Sequence, residues 1–240
     1  MRFSDRAAHY SASRPAYGDD ALDFILADTK RPLAVADVGA GTGISARLLA
    51  ARGADVAAIE PNAAMRSHAQ PFIGVTYRDA TAEATGLADA SVDLVTAFQA
   101  FHWFATDAAL AEFGRIIRPG GRAALILNER DERDPFTAAY GALYRRYALD
   151  DTEQRRIDSI GMFKRLPGHI KEREFAYLQS LDRDGFWCRT ASSSYLPQSG
   201  AAADALRADL DALFARSSAY GVVRVVLRTI VVRIDLDRAV

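Results

Sequence analysis

Hydrophobic positions along the chain fall into short runs stopped by glycine, separated by stretches with helical spacing. Residues 33–37 form an apolar run rich in branched side chains, the pattern of a strand buried on both faces of a parallel sheet. Gly39-Ala40-Gly41-Thr42-Gly43 follows, and residues 44–52 then carry apolar side chains at helical spacing up to Gly53. Residues 55–60 read as a second strand, closed by Pro61-Asn62, with a short helix over 65–70. Residues 75–79, 92–98 and 122–128 read as the third, fourth and fifth strands. Between the last two, the spacing predicts a helix over 106–117, stopped by Arg118-Pro119-Gly120-Gly121. Strands alternating with helices imply an α/β fold: a doubly wound, mostly parallel sheet with right-handed crossovers.

The pattern changes after Asn128. Residues 129–173 are charged and helical in character, without a convincing strand, and read as a cap insertion. Residues 174–182 read as a strand, 201–217 as a helix and 222–237 as one long or two adjoining strands. That brings the sheet to seven strands with an antiparallel addition at its edge. No linker or repeat divides the chain. One domain is expected over 1–240: an N-terminal lid (1–30), a cofactor-binding core (31–128), the cap (129–173) and C-terminal strands and helix (174–240).

Composition narrows the classes. A chain of 240 residues, half of them hydrophobic, can bury a core without covalent help. Its single cysteine, Cys188, excludes an intramolecular disulfide and a multi-cysteine zinc site. No apolar run approaches the roughly 18 residues needed to span a bilayer. The opening Met1–Arg6 has no apolar stretch behind it, so a cytoplasmic protein without membrane partners is expected, a monomer or weak homodimer. A net charge of −1 argues against a nucleic-acid partner. The alternating charges of Glu129-Arg130-Asp131-Glu132-Arg133-Asp134 read as a solvated loop; with no histidine among them, no metal is expected.

The chemistry lies in the glycine turn. Glycines let the backbone approach a ligand, and the helix that follows offers its amides. The spacing is Gly39-x-Gly41-x-Gly43, and Ile44 stands where a dinucleotide G-x-G-x-x-G needs its third glycine. A phosphate-binding G-x-x-x-x-G-K-[ST] is absent. A nicotinamide dehydrogenase is therefore the weaker enzyme reading, and a non-catalytic binding module the alternative from another class.

At this turn the chain resembles the class I S-adenosylmethionine-dependent methyltransferases, a Rossmann-like family. Val35-Ala36-Asp37-Val38-Gly39-Ala40-Gly41-Thr42-Gly43 is similar to its first motif and Ile59-Glu60-Pro61-Asn62 to its second. Arg78-Asp79-Ala80 resembles its adenine-binding turn, and Ile117-Arg118-Pro119-Gly120-Gly121 the turn before the fifth strand. Phe98-Gln99-Ala100-Phe101-His102-Trp103-Phe104, with Tyr10 to Tyr17 and Ser192-Ser193-Ser194-Tyr195, resembles the small-molecule branch similar to trans-aconitate methyltransferase.

The resemblance implies S-adenosyl-L-methionine as cofactor, S-adenosyl-L-homocysteine as product and a small-molecule methyl acceptor, reacting through oxygen or nitrogen. Glu60 would accept from the ribose diol, Asp79 from the adenine amino group, and the Ala80 amide would donate to a ring nitrogen. Gly39, Ala40, Gly41, Pro61 and Phe98 complete the cofactor surface. Asp37 would lie near the methionine end, and Arg14 would pair with its carboxylate. His102 and Tyr10 are the catalytic candidates; Tyr17, His102, Trp103 and Tyr195 are the substrate-binding ones. Each has a plainer reading: Asp79 as a helix cap, and His102, Trp103 and the tyrosines as packed rings. Residues 1–17 are expected to fold over the bound cofactor.

Overall fold

The five apolar runs of the first half become parallel strands: β1 (Leu33–Val38), β2 (Ala54–Ile59), β3 (Val75–Arg78), β4 (Val92–Phe98) and β5 (Ile117–Arg130). The computed structural model describes residues 17–29 and 32–237. It joins those strands with β6 (His169–Leu181) and β7 (Val223–Asp235) in one sheet of order β3-β2-β1-β4-β5-β7-β6. β7 runs antiparallel to both β5 and β6. This is the expected doubly wound, mostly parallel sheet with an antiparallel edge.

The chain leaves β1 towards β2 and β3, then returns to lay β4 on the other side of β1. Strand order therefore reverses between β1 and β4, and a crevice opens beyond their carboxyl ends, where ligands bind in open α/β sheets. The glycine turn leaves β1 at this place and the segment from Phe98 to Phe104 leaves β4 beside it.

Strand residues alternate between two cores. Ala36, Val38, Val95, Ala97 and Leu125 face one side, packed with Phe113 of α4 (Asp107–Ile116) and Phe163 of α6 (Thr152–Phe163). Leu33, Val35, Leu94 and Ile126 face the other, against α1 (Asp19–Leu26) and α2 (Ile44–Ala50). A third cluster joins Tyr140 and Tyr144 of α5 (Pro135–Tyr147), Phe186 of α7 (Arg183–Ala191) and Leu206, Leu210 and Leu213 of α8 (Gly200–Ser217). The near ends of β6 and β7, Leu181 and Val223, close it.

Several expectations need correction. Part of the segment expected as a lid is a helix of the body: α1 buries Ala21, Leu22, Ile25 and Leu26. Its last carbonyls are held from the sheet. Arg122 donates to the carbonyls of Ile25 (2.6 Å) and Ala27 (2.8 Å), and Arg233 to that of Phe24 (2.8 Å). The cap is not confined to 129–173, because β5 runs on to Arg130, β6 begins at His169, and α7 and α8 complete the apolar cluster. Charges hide these strand ends: the outer half of β6 is an exposed edge, where polar side chains on both faces carry no alternation. Nor is all of 129–134 a solvated loop: Glu129 and Arg130 end β5 in half-buried ion pairs, while Glu132 and Arg133 in the turn that follows are exposed.

Candidate active site

The backbone of the glycine turn takes left-handed φ values of +74°, +58° and +79° at Gly39, Gly41 and Gly43. A Cβ on Gly39 would lie 2.5 Å from Ala100 Cβ, so this turn and the segment after β4 approach more closely than any other residue permits. Beneath the turn, Asp37 is fully buried. It accepts from Ser45 Oγ of α2 (2.6 Å) and from Thr96 Oγ1 (2.8 Å), its register partner on β4. Burial pushes the Asp37 carboxyl up to about 6, against those two hydrogen bonds. Asp37 thus ties β1, β4 and the helix that follows the turn.

Glu60 follows the last residue of β2 and is buried at 8 % exposure. Its Oε2 accepts from the Gly41 amide (2.9 Å) and its Oε1 from the Asn62 amide (2.8 Å). Burial raises its carboxyl above the ordinary range, opposed by those amides. Each carboxylate oxygen keeps a further lone pair. Asn62 in turn caps α3 (Ala63–Ser67), accepting from the Ala64 and Met65 amides.

A cavity of about 330 Å³ opens over these groups, within the size range of small-molecule sites. One end is walled by Gly39, Gly41, Glu60, Pro61, Met65 and Phe98, and the other by Arg130, Tyr144, Arg156, Arg189, residues 192–194 and Tyr195. His102 and Trp103 lie along it as well. Gln99, the residue after β4, is on the wall with φ +52°, a left-handed conformation that few side chains adopt.

The far end carries charge. Arg156 makes a two-pronged pair with Glu129 (Nη2 to Oε2, 2.8 Å), and Arg130 pairs with Glu153, which also accepts from the Tyr195 hydroxyl (2.8 Å). Burial alone would lower the Arg130 pKa, but the adjoining Glu153 carboxylate more than offsets it and holds the group above its ordinary value. Arg156 stands in the same relation to Glu129.

Of the expected site residues, the cavity brings together Gly39, Gly41, Glu60, Pro61, Phe98, His102, Trp103 and Tyr195. Asp37 and Ala40 lie off the wall, Asp37 as a brace beneath it. Tyr17 stands behind the wall, its ring edge-on to Phe98 at 4.7 Å. Asp79 does not face the cavity. Its carboxylate, 70 % exposed, is held by both Nη atoms of Arg66 (2.9 and 2.7 Å), a partner within reach of the strand end. Ala80 packs against the main core instead. Arg14, Tyr10 and the rest of the expected lid up to residue 16 lie outside the described residues. Sequence reasoning missed Arg130, Arg156, Arg189 and Tyr144. Glu153 and Arg156 stand at i,i+3 on a helix, a spacing that offers two ionic partners to one neighbouring strand end.

Among the described residues, no cluster of three or more His, Cys, Asp or Glu could hold a metal, and no helix is long and apolar enough to cross a membrane.

Residues 36–125 match the family model described as a methyltransferase domain. An uncharacterized methyltransferase of Schizosaccharomyces pombe is 33% identical over 217 residues, covering 75% of this chain and 86% of that one. An uncharacterized methyltransferase of Mycobacterium tuberculosis is 39% identical over 134 residues, 55% of this chain and 54% of its own, so the match spans about half of the mycobacterial relative. A solved candidate type II methyltransferase from Anaeromyxobacter dehalogenans superposes with a TM-score of 0.71 at 24% identity, over 95% of this chain and 100% of that one. Sequence relatives and fold agree: the chain belongs to the class I S-adenosylmethionine-dependent methyltransferase family.

Proposed function

We propose that the protein transfers the methyl group of S-adenosylmethionine to an oxygen or nitrogen of a small molecule held in this cavity. The observation that carries the reading is the cavity itself, because one continuous space joins the glycine turn and Glu60 to a wall of aromatic, hydroxyl and arginine side chains. The residues present suit the cofactor. Gly39 and Gly41 offer bare backbone on the wall, Glu60 has spare acceptor lone pairs for a vicinal diol, and Pro61, Met65 and Phe98 give apolar faces for a base. Bound there, S-adenosylmethionine supplies a methyl group already activated on a sulfonium. The chain's own task is to hold the acceptor in line and keep water away.

On the acceptor side, His102 lines the cavity beside Trp103, their rings 4.8 Å apart. Its imidazole is the proposed base for a hydroxyl or ring N–H acceptor; a carboxylate acceptor, which the resemblance to the trans-aconitate branch suggests, has no proton to lose. Replacing His102 by Gln keeps size and polarity but removes the base. With a protonated acceptor the rate is expected to fall roughly 10²–10⁴-fold while S-adenosylhomocysteine affinity stays intact. A fall below tenfold would leave His102 as wall.

The test of the reading is formation of S-adenosylhomocysteine and methylated product when the protein is given S-adenosylmethionine with panels of small acids and planar heterocycles. Turnover should survive EDTA. Tight cofactor binding with no product from any acceptor would favour the non-catalytic binding module instead.

A further inference from the structure

Two of the three arginines on the cavity wall have their charge cancelled in place. Arg130 and Arg156, on the wall, are matched one for one by Glu153 and Glu129. Arg189, in the last turn of α7, is different. It lines the same cavity, its Nε is buried without a hydrogen-bond partner, and no carboxylate among the described residues pairs with its guanidinium. The same wall carries neutral hydroxyls. Thr190 Oγ1, Tyr140 and Tyr144 form a chain (2.7 and 3.1 Å), which Tyr144 continues to Ser193 Oγ (3.1 Å) on the cavity wall. Ser194 adds a further buried hydroxyl to that wall.

Arg189 is half-buried, and a guanidinium on a cavity wall with no carboxylate of its own can take its counter-charge from a ligand. Resting on the methyl-transfer reading above, we infer that the acceptor carries one negative charge, a single carboxylate. Arg189 holds it at the end of the cavity away from Glu60, as an anchor distinct from the atom that receives the methyl group. With Nε sealed, the two Nη groups present a fork that matches the two oxygens of one carboxylate. The Ser194 hydroxyl on the same wall can donate to a remaining lone pair. The matched pairs at Arg130 and Arg156 leave no second free cation there among the described residues, so a dicarboxylate would bring one charge without a partner.

Calorimetric titration tests this with three probes of similar shape: phenylacetate, the neutral phenylacetamide and the dianionic phenylmalonate. Each is measured on the free protein and on protein saturated with S-adenosylhomocysteine. Phenylacetate should bind at least tenfold more tightly than the amide and no less tightly than phenylmalonate. Arg189→Gln should erase the acid-over-amide preference, and Arg189→Lys should keep part of it; both should bind S-adenosylhomocysteine within twofold of the unaltered protein, which also shows that they fold. Equal binding of acid and amide, a preference that survives in Arg189→Gln, or tighter binding of phenylmalonate would overturn the anchor. Loss of S-adenosylhomocysteine affinity in Arg189→Gln would overturn it too and give the arginine to the cofactor. Failure of the unaltered protein to bind S-adenosylhomocysteine would contradict the methyltransferase reading, while the titrations of the free protein would still decide the anchor.

Discussion

Asp37 shows how one side chain can brace a site from beneath its wall. Buried between Ser45 and Thr96, its carboxyl is pushed up to about 6 because no full cation compensates the lost hydration. In the unfolded chain it titrates near 3.9. Between those values the folded protein holds a proton that the unfolded chain has released, so this group's contribution to stability is fully present below about pH 4. It is lost as pH rises through about 6, a change on the order of 3 kcal/mol. Asn at this position cannot titrate. Denaturant melts of the Asp37→Asn variant and the parent should therefore converge or cross as pH rises from 4 to 7, the parent losing stability relative to the variant. Parallel curves would show that the buried carboxyl titrates normally.

Among the elements, the parallel strands are readable as apolar runs buried on both faces between proline or glycine stops, as at residues 33–38, and the crossover helices as single apolar stripes, as at 107–116. α1 is less so. Its buried face, Ala21, Leu22, Ile25 and Leu26, occupies only eight residues of a segment expected to be a lid, and it is completed by guanidiniums about a hundred and two hundred residues away. Arg122 reaches the Ile25 and Ala27 carbonyls while pairing with Asp235. Burial pulls the Arg122 pKa down, opposed by Asp235. Arg122→Met should cost roughly 1.5–3 kcal/mol, the worth of hydrogen bonds to a charged group, and should raise hydrogen exchange in 19–26 first. Unchanged exchange there would mean that apolar packing alone seats the helix. The far wall of the cavity is unreadable for the same reason. Arg130 sits in a charged run that looks solvated, and its partner Glu153 lies on a helix whose place over β5 only the fold reveals.

Taken together, the molecule sets the glycine turn with Glu60 and a wall of aromatic, hydroxyl and arginine side chains on one cavity, above the place where strand order reverses, and the proposed function gives the first to the cofactor and the second to the acceptor. The first end is legible from Gly39 and Gly41, because a turn at left-handed φ demands glycine, and from Glu60 through the resemblance of its motif. The second is assembled from β5, α5, α6, α7 and the segment after it, which no local pattern joins. Calorimetry of S-adenosylhomocysteine binding to the parent protein and to Glu60→Gln decides whether that cavity is a cofactor site. The parent should bind one equivalent, undiminished by added NAD. The variant retains an acceptor oxygen but loses the charge, and should bind about 1.5–3 kcal/mol more weakly. Absence of heat with the parent, equal affinity in the variant, or displacement by NAD would contradict the assignment.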